Sequence, residues 1–365
     1  MSENSSPSPG KGHLKTVRVL GTGGTIAGTA PAGSPDNAYK AGQLAVEDLL
    51  APLLPTLGDR IQQAEAIQVA QLDSRNMSHA VWQRLAAELQ RGQDDPDVVG
   101  QVVTHGTDTL EETAVFLQRV LRGHKPVVLT AAMRPATSAH SDGPDNLSRA
   151  LLLAADRRAQ GVLMAFGGQV WPAAQVRKVH PFALQAFVGG DGGVLARWED
   201  GSWVWMPEPP EPAATPAATP DASRGREPQP VSMPANPEDW PRVEIVHSHA
   251  GADGRLIDWL LEAGASTPSS PQGQGASTAS ADREPSVRGL VISATGNGSI
   301  HDSLHHALQR AVARRRLSRH HILVATRCTR GWIVGEPEHG WPVAHRLTPA
   351  QARVALMLQL TGESA

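Results

Sequence analysis

The sequence predicts an α/β protein of two domains: a larger N-terminal domain with a mostly parallel sheet flanked by helices, and a smaller C-terminal α/β domain. Three observations carry that reading. Short apolar runs alternate with helix-like stretches over residues 16–166 and again over 242–360, the pattern of strands joined by crossover helices. Residues 207–237 form a Pro/Ala/Thr/Glu-rich run holding 10 of the 29 prolines, which cannot build a core and so divides the chain. The length, 365 residues, suffices for two sizeable cores.

The elements follow in order. Residues 1–14 are polar and rich in Ser, Pro and Gly, and read as a disordered tail. The N-terminal domain spans 15–206. Thr16-Val-Arg-Val-Leu20 reads as a buried strand running into the Gly23-Gly24 turn. Val98-Val99 and Val102-Val103 give a second strand, and Glu111 to Gly123 a helix. Ala114, Leu117 and Leu121 share one face of it, Glu111 and Glu112 suit its first turn, and Gly123 suits its C-cap. Residues 127–130 and 162–166 are strand-like, and the stretch between them, Asn146 to Arg158, is helical. The linker occupies 207–241. The C-terminal domain, 242–365, contains a strand at 242–247, a helix from Leu256 to Ala263 and a Ser/Gly/Ala-rich insertion at 264–287 that reads as disordered. Beyond it come a strand at 290–293, a helix from Ser303 to Arg314 and a strand at 322–326. A terminal helix runs from Thr348 to Leu360, capped by Thr348 and striped by Ala352, Leu356 and Leu360.

Composition excludes several function classes. Lys and Arg number 33 against 36 Asp and Glu, a net charge of −3 that argues against nucleic acid or an anionic membrane as partner. No apolar run reaches the roughly 18–20 residues of a membrane helix. The N-terminus lacks a charged start followed by an apolar stretch, so it does not read as a secretory signal. With one cysteine, Cys328, no intrachain disulfide forms. The expectation is a cytoplasmic protein. Five lysines stand against 28 arginines. Where Arg is the default cation, a Lys at a particular place is needed as Lys.

Two glycine–threonine loops carry the chemistry: Leu20-Gly-Thr-Gly-Gly-Thr-Ile-Ala-Gly28 and Thr104-His-Gly-Thr-Asp-Thr-Leu-Glu-Glu-Thr113. Each follows a strand-like run and precedes helix-like sequence. A dinucleotide fingerprint would place a third glycine where Ile26 stands, and no Walker lysine is present, so the first loop is not read as a phosphate cradle. A Thr hydroxyl needs a base or strong acceptor to act as a nucleophile. Tyr39 can serve Thr25, and a lysine made neutral by burial can serve Thr107. Asp108 offers a carboxylate to a substrate ammonium. Glycines 23, 24 and 106 allow backbone N–H groups to approach a developing oxyanion. Taken alone, each of these residues has a plainer role: Thr as a turn hydroxyl, Tyr39 as a surface aromatic, Lys178 as a solvated cation. Two threonines in matching contexts, with Asp108 attached, favour the chemical reading. His105 reads as a structural histidine, Asp142 as a residue orienting the turn before the next helix, and Cys328 as packing. The pairs His247/His249, His305/His306 and His320/His321 lack a metal-ligand pattern, so no metal and no cofactor are expected.

At these loops the chain resembles the bacterial-type L-asparaginases and glutaminase-asparaginases. The likeness rests on residues 22–28 and 105–113, continues through Ala132-Met-Arg-Pro135, Ser141-Asp-Gly-Pro144 and Asn146-Leu147, and reaches Thr295-Gly-Asn-Gly298. It implies a threonine amidohydrolase that forms an acyl-enzyme from asparagine and releases ammonia. Carried over residue by residue, Thr25 matches the nucleophile and Tyr39 the tyrosine that activates it from a lid. Thr107, Asp108 and Lys178 match a second catalytic cluster. Ser74, in Asp73-Ser-Arg-Asn-Met77, matches the serine that holds the substrate carboxylate, with Gly24 and Gly106 lining the same pocket. Asn297 and Ser299 match a loop that in this family reaches a neighbouring subunit's site, which implies a homodimer or homotetramer. Arg75 departs from the Gln or Ser of many members: it either binds the substrate carboxylate, narrows the pocket or points away. Glu336 and Glu338 are candidates for a glutamate that some members offer from the C-terminal domain. The rival readings are an amidase preferring glutamine or another amide, possibly amidotransferase-like, and a non-catalytic amino-acid-binding relative.

Overall fold

The computed structural model describes residues 15–33, 35, 38–190, 193–207, 231–262 and 287–362. The tail, most of the linker and the C-terminal insertion expected from the sequence lie outside the described residues.

Strand β1 (Thr16–Gly23) and strand β3 (Val98–Thr104) are buried on both faces, as central strands of a parallel sheet must be. Their neighbours are β2 (Gln63–Leu72), β4 (Val127–Thr130) and β5 (Val162–Phe166). These five strands run parallel in the order β2-β1-β3-β4-β5. Beyond β5 the sheet continues antiparallel through β6 (Gln169–Pro172), β9 (Ala196–Glu199) and β10 (Ser202–Trp205). Between β6 and β9, strands β7 (Val176–Lys178) and β8 (Phe187–Gly189) form a separate two-stranded hairpin.

Helices cover both faces of the large sheet. On one side, α1 (Val46–Leu50) and α5 (Gly143–Ala154) share a core with Val19, Val102 and Val128; α2 (Leu54–Leu57) follows α1 there. On the other, α3 (His79–Asp94) and α4 (Leu110–Val120) pack on Leu20, Val103 and Leu129. Helix α4 stops at Val120, earlier than the sequence suggests. Its C-cap is Leu121, while Gly123, at φ +111°, takes the left-handed turn into β4. Helix α5 begins three residues before the expected start, because Pro144 suits the first turn of a helix, and it ends at Ala154 rather than Arg158.

The C-terminal sheet is β11 (Val243–His247), β12 (Gly289–Ala294) and β13 (Ile322–Thr326), all parallel in chain order. Helices α6 (Arg255–Glu262) and α7 (Asp302–Ala313) cover one face. The other face meets α8 (Pro349–Gly362), which also packs on α4. The sequence suggests a striped α8, yet Val354, Ala355, Met357 and Leu358 are buried along with Ala352, Leu356 and Leu360. Packed between the C-terminal sheet and α4, the helix keeps little solvent-facing surface beyond Gln359. Thr348 caps it as expected: Gln351 N–H donates to Thr348 Oγ1 at 3.2 Å, and Thr348 N–H donates back to Gln351 Oε1 at 2.9 Å. Among the described residues no helix is long and apolar enough to cross a membrane.

Candidate active site

In an open parallel sheet, loops diverge to opposite faces where the strand order reverses, leaving a crevice at the carboxyl ends of the strands. Here that switch lies between β1 and β3. The chain leaving β1 enters a short turn at Thr25–Ala27, and the chain leaving β3 runs through Thr107 into α4. Thr22 Oγ1 donates to Thr104 O at 2.9 Å, tying the two strand ends together.

The glycines of these loops also bring the loops together. Gly24, at φ +81°, gives its N–H to Leu72 O at 2.8 Å, so that donor is not free for an oxyanion. A Cβ on Gly24 would lie 2.4 Å from Gly106 Cα and N, and one on Gly106 would lie 2.5 Å from Ser74 Oγ. The loops after β1 and β3 therefore stack backbone to backbone at Gly24 and Gly106, and the Ser74 side chain of the loop after β2 packs against Gly106. Their value is close approach between loops.

This stacking sets the hydroxyls. Thr25 is 6 % exposed and its Oγ1 lies 2.6 Å from Tyr39 Oη. Tyr39 sits beside a two-residue bridge in which Thr29 and Lys40 exchange N–H···O bonds, and its ring packs against Gly28. Thr107, also 6 % exposed, accepts a hydrogen bond from Lys178 Nζ at 2.8 Å, and the same ammonium donates to Asp108 Oδ1 at 2.6 Å. Lys178 Nζ thus bridges Asp108 and Thr107, pairing with the carboxylate while it reaches the hydroxyl. Thr107 Oγ1 accepts from it, so the threonine's own proton is free to point elsewhere. Ser74 is buried, and its Oγ accepts from Asp108 N–H at 3.2 Å.

Arg75, Glu336 and Glu338 are not brought to this cluster, and Asn297 and Ser299, expected at a neighbouring subunit's site, also lie outside it. The Arg75 side chain is 74 % exposed and pairs with Asp73 at 3.2 Å, which is the outward-pointing alternative. Asn297 is exposed, and its carboxamide is engaged on both sides by Val334, donating to the carbonyl at 2.8 Å and accepting from the N–H at 2.7 Å. Ser299 is exposed and closes the same turn through its backbone with Thr295. Glu336 and Glu338 are both exposed.

The histidine of the second loop is structural. His105 is fully buried, and that burial drops its pKa to about 4, so the ring is neutral. Gly106 O can only accept, so Nδ1 carries the proton of the 2.7 Å bond between them. Nε2 then accepts from the Thr113 hydroxyl at 2.9 Å, which in turn accepts from Trp82 Nε1 at 2.9 Å. Asp142 orients its turn as expected, accepting from the N–H groups of Met133 and Arg134. Sequence reasoning assigned Glu111 only to a helix first turn. In the structure its carboxylate meets the Lys178 N–H at 3.4 Å, and burial pushes its pKa up to about 7. No helical spacing announced it, because Thr107 lies in the turn before α4 and Glu111 in the helix's first turn.

A cavity of about 610 Å³ lies at the other end of the sheet, lined by Val17, Val98 and Pro126 at strand starts. It holds none of these residues, and its Lys125 is engaged by the carbonyl of Gly92 at 3.1 Å. Among the described residues no three His, Cys, Asp or Glu side chains gather as a metal site.

Two family domains match in succession: Asparaginase, N-terminal, over residues 16–211, and the Glutaminase/Asparaginase C-terminal domain over 242–364. The chain belongs to the asparaginase family. It is 33 % identical to a probable periplasmic L-asparaginase of Haemophilus influenzae, over 95 % of this chain and 89 % of that protein. It is 28 % identical to a glutaminase-asparaginase of Pseudomonas fluorescens biotype A, over 96 % of this chain and 88 % of that protein. Among solved structures, a probable cytoplasmic L-asparaginase from Campylobacter jejuni superposes with a TM-score of 0.75 at 30 % identity, covering 96 % of both chains. The asparaginase fold accounts for both sheets and for the helix between them.

Proposed function

We propose that this asparaginase-family chain hydrolyses the side-chain amide of L-asparagine to L-aspartate and ammonia through a threonyl ester. The observation that carries the reading is the pair of hydroxyls at the switch point, Thr25 held 2.6 Å from Tyr39 and Thr107 held 2.8 Å from Lys178. Thr25 Oγ1 forms a bond to the amide carbonyl carbon. Its proton passes to Tyr39 Oη as the tyrosine's own proton moves to the departing nitrogen, and the C–N bond breaks to release ammonia. Water then adds to the ester carbon, the C–O bond to Thr25 breaks, and the hydroxyl is restored. Lys178 fixes Thr107, whose proton points toward substrate or water. Ser74 and Asp108 face the substrate's carboxylate and ammonium groups. The reaction as written uses no cofactor.

Ammonia release from asparagine by purified protein, with Thr25→Ala and Thr107→Ala beside wild type, tests this. The expected result is a fall in kcat of at least about 10³-fold in each variant; near wild-type turnover in both sinks the mechanism. A second reading, hydrolysis of glutamine, draws support from the similarity to a glutaminase-asparaginase, and the same assay with glutamine distinguishes it. The reading extends to a homodimer or homotetramer, supported by the exposed Asn297–Ser299 turn and by Phe182, 75 % exposed beyond the Lys178 strand. We also read the chain as cytoplasmic, a reading supported by the name of the Campylobacter jejuni relative; the Haemophilus influenzae relative is named periplasmic.

A further inference from the structure

Lys178 has to be placed accurately from an unpromising position. It ends β7, a three-residue strand that belongs to a two-stranded hairpin and takes no part in the eight-stranded sheet. The main-sheet ladder therefore does not fix its distance from Thr107. Side-chain ties do so instead. Gln351 of α8 donates its amide to Val176 O at 2.9 Å, and Arg177 donates to Cys328 O at 3.0 Å. Both ties act upstream of Lys178, and both come from the C-terminal domain.

Glu111 acts at Lys178 itself. Its Oε2 receives the Lys178 N–H at 3.4 Å, while Thr107 and Asp108, four and three residues earlier on the same segment, receive the Nζ. One turn of chain thus holds the lysine at both ends. We infer that Glu111 is a positioning residue for the amide reaction, holding Lys178 against Thr107. This rests on the function proposed above.

Burial supports the inference, because an acid at this place is costly unless it does something. The carboxyl is pushed up to about 7 by burial first, with Glu112 on its own helix raising it further. Against these act the Lys178 N–H bond and the charges of Arg177 and Lys178 on β7. The α8 cation Arg353 bears on the neighbouring Glu112. A long N–H···O contact to a neutral carboxyl holds weakly; the same contact to a carboxylate is charge-assisted. Lys178 is therefore held most firmly above about pH 7, when Glu111 is ionised.

The experiment compares wild type with Glu111→Gln and Glu111→Ala by two readouts. The first is kcat and KM for asparagine from pH 5.5 to 9. Wild-type kcat rises through about pH 7. Glu111→Gln loses that rise and is about tenfold slower at pH 8, with KM within about threefold. The second readout needs no activity: competitive acetylation of the five lysines, read by mass spectrometry. Lys178 labels at least about threefold faster in Glu111→Ala than in wild type, with Glu111→Gln between them, while the other four lysines serve as internal references. A wild-type pH profile in Glu111→Gln, or unchanged Lys178 labelling in Glu111→Ala, overturns the inference. If wild type releases no ammonia, the functional reading fails by itself, and labelling still decides whether Glu111 holds Lys178.

Discussion

Tyr39 contributes two separable things, a hydroxyl 2.6 Å from Thr25 and a ring packed on Gly28. Removing only the oxygen separates them. Tyr39→Phe is expected to lower kcat about 10²-fold or more, with KM and the thermal midpoint nearly unchanged. Steady-state kinetics beside a melting curve check this, and unchanged turnover removes Tyr39 from the relay. The site residues were legible where a motif is contiguous. Thr25, Thr107 and Asp108 sit in short loops whose residue types announce close approach and hydroxyl chemistry. Lys178 was placed by likeness alone, because no local pattern links a residue 71 positions away to Thr107. Arg75 could not be aimed from sequence: its direction is decided by Asp73, which also accepts its backbone N–H at 3.2 Å. Glu111 was hidden by an adequate simpler role, since any acid suits the start of a helix.

At the scale of elements, the three loops depend on glycine backbones lying where side chains would otherwise stand. Gly24→Ala drives a Cβ into the Gly106 backbone at 2.4 Å, at a φ of +81° that alanine adopts poorly. The expected cost is about 3 kcal/mol or more, with activity lost even in the folded fraction. Urea unfolding and residual turnover measure both, and a stable, active Gly24→Ala would show that the loops can separate. The parallel strands were readable because each is a buried apolar run bounded by glycine or by helix-like sequence. Strands β6 to β10 were not, being three or four residues long, too short for a period of two to emerge. Strand β2 escaped for a different reason. It is an edge strand with a mostly solvated surface, so its sequence, Gln-Ala-Glu-Ala-Ile-Gln-Val-Ala-Gln-Leu, carries little apolar signal. The two-domain α/β architecture survived these omissions because the missing strands lie at the two edges of the sheet or in the separate hairpin and leave its centre unchanged.

At the scale of the molecule, two buried groups pull stability in opposite directions with pH. His105 has its pKa lowered from 6.5 to about 4, so the unfolded chain binds more protons there, and its contribution is lost as pH falls from 6.5 toward 4. Glu111 has its pKa raised from 4.5 to about 7, so the folded chain binds more protons, and stability falls as pH rises from 4.5 to 7. Between about pH 4.5 and 6.5 the two slopes oppose each other. Glu111→Gln removes one of them. Its stability relative to wild type is expected to climb across pH 4.5–7 by about 2 kcal/mol, a value reduced for the partial exposure of Glu111. Denaturant midpoints at half-unit pH steps test this, and a difference independent of pH rejects it.

Helix α8 has a consequence for how the protein is made. It fills the space between α4 and the C-terminal sheet, and its Gln351 completes the setting of a strand synthesised 175 residues earlier. While the ribosome is still working through the C-terminal domain, α4 has one flank bare and β7 lacks its anchor. The N-terminal domain therefore emerges early and matures late. Throughout that interval its apolar flank is available to chaperones, and to misassembly with other nascent chains.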